Sequence, residues 1–166
     1  MNSDFTILIS TCDKFSDLWK ANIQLLNQNW PDRNAETFLV TDKPTDCEFP
    51  GVTVFSAGEG NEITERLRAV LPYVKTEYVL FTLDDYFLTK PILSVAIADD
   101  IEIMRAQGLD YLRLFRMTRK SLKNRKATEL EKDIFLLDNQ AGDYIVSLYA
   151  GLWRKDFMEK TLGQPR

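Results

Sequence analysis

Continuous apolar runs and stripes at helical spacing alternate along most of the chain, separated by short polar loops. Phe5-Thr6-Ile7-Leu8-Ile9-Ser10 has the unbroken apolar character of a strand buried on both faces. Thr11-Cys12-Asp13 follows as a loop, and Asp13 is a suitable helix cap. Phe15, Leu18, Trp19, Ile23, Leu26 and Trp30 then fall near helical spacing, which predicts an amphipathic helix over 14–30 that Trp30-Pro31-Asp32 ends. Strands are predicted at 37–41, closed by Asp42, and at 52–55. Gly58-Glu59-Gly60-Asn61 reads as a turn opening a second helix, with Ile63, Leu67, Val70, Leu71 and Val74 as its stripe and Pro72 tightening or ending it. Tyr78-Val79-Leu80-Phe81-Thr82-Leu83 predicts a central strand. Pro91 starts a third helix, with Ile92, Val95, Ile97, Ile101 and Met104 inside and Gly108 as its stop. Tyr111 to Phe115 and Tyr144 to Tyr149 read as later strands, and a short helix is expected from about Lys155 to Leu162.

Strands alternating with helices predict an α/β fold with a mostly parallel sheet covered on both faces. With no linker, repeat or low-complexity segment, residues 1–166 read as one domain. A chain of 166 residues can build a real core, and 45% hydrophobic with 28% charged residues is ordinary for a globular domain. Net charge of -4 argues against a nucleic-acid partner. The chain has no histidine, which excludes Ser-His-Asp chemistry and His-ligated zinc. Cys12 and Cys47 form no CxxC and read as free thiols of a reducing compartment. Met1-Asn2-Ser3-Asp4 lacks a basic leader segment, and no apolar stretch approaches the ~20 residues that span a bilayer, so a cytoplasmic protein is expected.

Asp84-Asp85 concentrates the candidate chemistry. The pair stands where the central strand stops, the edge at which open α/β sheets place ligands. Adjacent carboxylates repel and lose hydration, and a divalent cation arriving with a phosphate substrate relieves both. The competing reading is a turn in which one Asp caps the next helix. Thr11-Cys12-Asp13 and Thr41-Asp42-Lys43 also follow strands, and a parallel sheet brings all three loops to one cleft. That convergence favours a functional site over separate caps and turns.

Gly58-Glu59-Gly60 lacks the GxGxxG spacing, and there is no GxxxxGK[ST], so neither a dinucleotide fingerprint nor a P-loop is present. Arg66 and Arg68 are two apart on a helix and face different sides; Arg66 is the better candidate for a phosphate and Arg68 for solvent. Arg116, Arg119, Lys120, Lys123, Arg125 and Lys126 read first as a solvated loop or helix. The alternatives are a pyrophosphate, an anionic acceptor or lipid head groups, the last giving peripheral contact with the inner face of a membrane. Tyr86, Phe87, Tyr149 and Trp153 suit stacking on a sugar or base or ordinary core packing, with Phe87 the best core candidate.

Ile7-Leu8-Ile9-Ser10-Thr11-Cys12-Asp13, Phe38-Leu39-Val40-Thr41-Asp42, Glu77 to Phe87 and Tyr149-Ala150-Gly151-Leu152-Trp153-Arg154-Lys155 together resemble a nucleotide-sugar glycosyltransferase. The similarity is to bacterial family-2-like enzymes of surface polysaccharide biosynthesis and spans nearly the whole chain. The resemblance implies a three-layer α/β/α, Rossmann-like GT-A fold. It implies a nucleoside diphosphate-sugar donor on Ser10, Thr11, Asp13, Asp42, Arg66 and Asp84. It implies Mn²⁺ or Mg²⁺ on Asp85, with Asp84 as second ligand or ribose partner. It implies a glycan or lipid-linked acceptor near Tyr149, Gly151 and Trp153. Tyr86 replaces the third acid of an Asp-any-Asp motif. The family's catalytic base lies beyond the Gly-Leu-Trp segment; Asp156 is the nearest acid, helix or surface duty is its expected role, and the base stays unassigned. The expectation is therefore a domain truncated at its C-terminus relative to the family.

An inactive nucleotide-sugar-binding or scaffolding module of the same fold is the second reading. A nucleotidyltransferase is a weaker third, because the loop after the first strand has no glycine.

Overall fold

A computed structural model of the chain describes residues 3–131, 133–137 and 146–163. In chain order the elements are β1 (Phe5–Ser10), α1 (Ser16–Asn29), β2 (Thr37–Thr41), β3 (Thr53–Ser56), α2 (Ile63–Val70), β4 (Tyr78–Leu83), α3 (Ser94–Gln107), β5 (Tyr111–Arg113), α4 (Arg119–Asn124), β6 (Thr128–Glu131), β7 (Ile134–Leu136), β8 (Gly151–Arg154) and α5 (Lys155–Leu162). Six strands form one sheet in the order β3-β2-β1-β4-β8-β5, and β6 and β7 form a separate hairpin. The fold is mixed α/β with a mostly parallel sheet, as the alternation of patterns predicts. β1, β2, β3 and β4 run parallel, while β8 runs antiparallel to both of its neighbours.

Because side chains alternate along a strand, the buried runs divide between two apolar clusters. Ile7, Ile9, Leu39, Leu80 and Leu152 pack with Trp19, Ile23 and Leu26 of α1 and Ile97, Ile101 and Met104 of α3. Leu8, Val40, Val79, Phe81 and Trp153 pack with Leu67 and Val70 of α2 and Met158 of α5. Both faces of β1 are needed for this, which is why all six of its residues are buried.

Several boundaries move. Asp13 is not a cap: it opens a 3-10 turn, Asp13–Phe15, and α1 begins at Ser16 without a side-chain cap. Phe15, placed by spacing on the apolar stripe, is 45% exposed because it precedes the helix proper. The third helix starts at Ser94 rather than Pro91, since Asp32 accepts from Ser94 N (3.0 Å) and fixes the first turn from another loop. Val95, expected inside, faces outward at 58% exposure. The strand expected at Tyr144 to Tyr149 is not seen in its described part. Tyr144 and Ile145 lie outside the described residues, 146–149 are non-strand, and the strand is Gly151–Arg154. The basic stretch from Arg116 is partly helical, as a solvated α4 capped by Thr118 accepting from Ser121 N. Among the described residues no helix is long and apolar enough to cross a membrane.

Candidate functional site

The register sets the site. Ser10 of β1 aligns with Val40 of β2 and Leu83 of β4, so the loops after the three strands leave the sheet side by side. Thr11 N donates to Val40 O (2.9 Å) and Asp84 N to Ser10 O (3.3 Å), extending the parallel pairing into the loops.

Two further hydrogen bonds join the loops. Asp13 N donates to Asp42 Oδ1 at 2.7 Å, and the Thr11 hydroxyl donates to Asp84 Oδ2. Trp19 Nε1 donates to Thr11 Oγ1 at 2.6 Å, which commits the hydroxyl proton to Asp84. Burial pushes the Asp42 carboxyl upward. The N–H groups of Asp13 and Asp42, the Thr41 hydroxyl and the Arg66 charge outweigh it and hold the group below the usual carboxylate range. Asp42 is therefore an ionised acceptor at neutral pH.

The adjacent acids differ in kind. Asp84 is 7% exposed; burial raises its pKa, against the Thr11 hydrogen bond, and the neighbouring Asp85 charge raises it further. Thr11 donates to its Oδ2, and that bond anchors the turn. Asp85 is exposed at the same edge, and its carboxylate has no hydrogen-bond or ion-pair partner among the described residues. Asn22, buried on the apolar stripe of α1, donates to the carbonyls of Asp84 (2.9 Å) and Tyr86 (3.3 Å) and holds the turn from below. Sequence reading missed Asn22; a polar residue three after Trp19 and four before Leu26 was the available signal.

On the β2 side, Lys43 lies 3.4 Å from Asp13 and 4.0 Å from Glu59. Arg66 donates to Asn61 O (2.7 Å), while its Nε is buried without a partner among the described residues, as is Ser10 Oγ. Arg68, expected to reach solvent, is half-buried. It donates to the carbonyls of Leu162 and Gly163 and closes the end of α5.

The acceptor-side set divides. Tyr149 is 42% exposed at this edge. Trp153 is a core residue, two positions inside the strand, packed between a tilted Tyr111 ring (4.6 Å) and a stacked Phe157 ring (6.1 Å). Gly151 is buried under the Tyr111 ring, where a Cβ would meet Cε2 at 2.7 Å. Phe87, the expected core aromatic, is 36% exposed because the turn after Asp85 carries it outward. Asp156 serves α5: Arg154 (2.5 Å) and Lys160 (3.4 Å) hold its carboxyl down at about 2.

Among the described residues no three acidic or thiol side chains stand together as a metal cage. Asp85 nonetheless fits the kind of Mg²⁺ site that uses one or two carboxylates plus substrate phosphates. No known family model matches the chain, and no curated protein matches it significantly.

Proposed function

We propose that the chain is the catalytic domain of a metal-dependent glycosyltransferase of the three-layer GT-A type. It moves a sugar from a nucleoside diphosphate donor to a glycan or lipid-linked acceptor. The observation that carries this reading is the pair of hydrogen bonds, Asp13 N to Asp42 and Thr11 Oγ1 to Asp84, that ties three strand-end loops into one acidic edge.

On that edge Asp42 is the ionised acceptor for donor hydroxyls, and Ser10 and Arg66 supply polar groups that still lack partners. Asp85 offers the open carboxylate for Mn²⁺ or Mg²⁺. Held there, the ion would supply neutralisation of charge on the leaving diphosphate. Asp84 works through the turn, keeping Asp85 outward. A second reading, a module that binds nucleotide-sugar without transferring it, draws on Asp156, whose two cationic partners leave it poorly suited to take a proton.

Calorimetric titration of UDP, GDP, CMP and dTDP, each with Mn²⁺ and again with EDTA, is the test. One nucleotide should bind only with metal, and Asp85→Asn should abolish that metal dependence while the fold persists. Full metal-dependent affinity in Asp85→Asn removes the assignment. Failure of every nucleotide to bind removes the transferase reading, and binding without turnover selects the second reading.

A further inference from the structure

Beyond Asp85, three aromatic rings from separate segments meet. Tyr86 follows β4, Phe115 follows β5 and Tyr149 precedes β8. Because β8 is antiparallel, its start lies at the edge where the parallel strands end, and Arg113 pairs there with Gly151. Ring centroids are 5.1 Å apart for Tyr86 and Phe115, 5.4 Å for Phe115 and Tyr149, and 6.1 Å for Tyr86 and Tyr149. Phe115 and Tyr149 each remain 42% exposed, so the rings touch one another without entering either core cluster.

Arg113 places its guanidinium carbon 4.3 Å from the Tyr149 centroid. Three arginines are neutralised by carboxylates: Arg154 by Asp110 and Asp156, Arg105 by Glu77 and Glu102, Arg116 by Asp133. Arg113 has no carboxylate partner among the described residues, and its Nε is buried without a hydrogen bond. A guanidinium stacked on a ring retains in-plane N–H donors suited to a carboxylate or phosphate. Partly exposed ring faces accept the C–H face of a pyranose, whose hydrogens meet the negative π-surface.

We propose that Tyr86, Phe115, Tyr149 and Arg113 form the subsite for the acceptor's terminal sugar, and that this sugar is an acidic pyranose bearing a carboxylate or a phosphate. The inference rests on the glycosyltransferase reading and adds the acceptor's chemical class to it.

Methyl glucuronide, methyl galacturonide, glucose 6-phosphate and neutral methyl glucoside are titrated into the ¹⁵N-labelled chain, with the nucleotide and Mn²⁺ titration run on the same preparation. An acidic sugar is expected to bind at least about tenfold more tightly than the glucoside, the gain from one charge-assisted contact. The uronides and the phosphate separate the two anions. Tyr149→Ala should weaken every sugar, and Arg113→Gln should erase the acidic preference while the glucoside still binds. Should Tyr149→Ala not fold, Phe115→Ala reads the same platform. Equal binding of acidic and neutral sugars, no binding of any, or sugar affinity indifferent to both ring variants overturns the proposal. So does an Arg113→Gln variant that loses nucleotide affinity instead. Wild-type protein that binds acidic sugar but no nucleotide overturns the transferase reading and spares the sugar site.

Discussion

Asp84 and Asp85 are neighbours in sequence and opposites in chemistry. Asp84 is buried with Thr11 donating to its Oδ2, and its pKa stands above the ordinary value of 3.8, burial being the main cause. The folded chain therefore takes up this proton more readily than the unfolded chain, and the charged form costs stability at neutral pH. The cost is relieved as pH falls through the folded pKa toward 3.8. Asp84→Asn keeps an oxygen for the Thr11 hydroxyl and removes the charge. The variant should be more stable than wild type at pH 7, with the difference shrinking as pH falls through the folded pKa toward 3.8. Urea melts of the two proteins across this range measure it. A constant difference, or a less stable variant, would mean that the carboxylate is not strained by burial. Groups common to both proteins, Asp42 and Asp156 among them, cancel in the comparison.

At the scale of elements, α1 does more than cover the sheet. Asn22 and Asn29 lie seven apart on one helix face, and each reaches the loop after β4. Asn22 holds the carbonyls of Asp84 and Tyr86, while Asn29 donates to Leu88 O (2.7 Å) and accepts from Ile92 N (2.9 Å). The loop carrying Asp85 is thus clamped at both ends by one rigid helix, with Trp19 and Thr11 as a second strut. Asn22→Ala leaves two carbonyls without their donor. It should cost about 1–3 kcal/mol. It should also weaken metal-dependent nucleotide binding more than Asn27→Ala, whose side chain contacts Pro50 away from the loop. Denaturant melts and the nucleotide titration check the two effects; equal nucleotide affinity in both variants would show that the clamp does not position Asp85.

The whole molecule turns on β8. This late segment enters the sheet between β4 and β5, so the aromatic platform exists only when distant parts of the chain are paired. Gly151 makes that insertion possible, because a Cβ there would lie 2.7 Å from the Tyr111 ring and 3.0 Å from Leu112 O. The backbone oxygen of a neighbouring strand cannot step aside as a flexible side chain can. Gly151→Ala should destabilise the fold by about 1–3 kcal/mol, the usual cost of overpacking. The loss should appear by circular dichroism and tryptophan fluorescence in one transition. A variant as stable as wild type would show that β5 and β8 have room to separate.

The apolar runs of β1, β2 and β4 were readable because a strand buried on both faces needs nearly every residue apolar. Parallel βα alternation then dictates that Thr11, Asp42 and Asp84 share an edge, whatever the side chains do next. The helical stripes were readable for the same reason, except where Phe15 and Val95 kept the spacing but fell outside the packed face. Local pattern reports that a residue is to be buried, but not against what. The place of β8, the hydrogen bond from Thr11 to Asp84, the clamp from Asn22 and the stacking of Arg113 on Tyr149 all join residues far apart in sequence. Such contacts are selected by competition among all surfaces during packing, so only the tertiary structure decided which acid was anchored and which stood free.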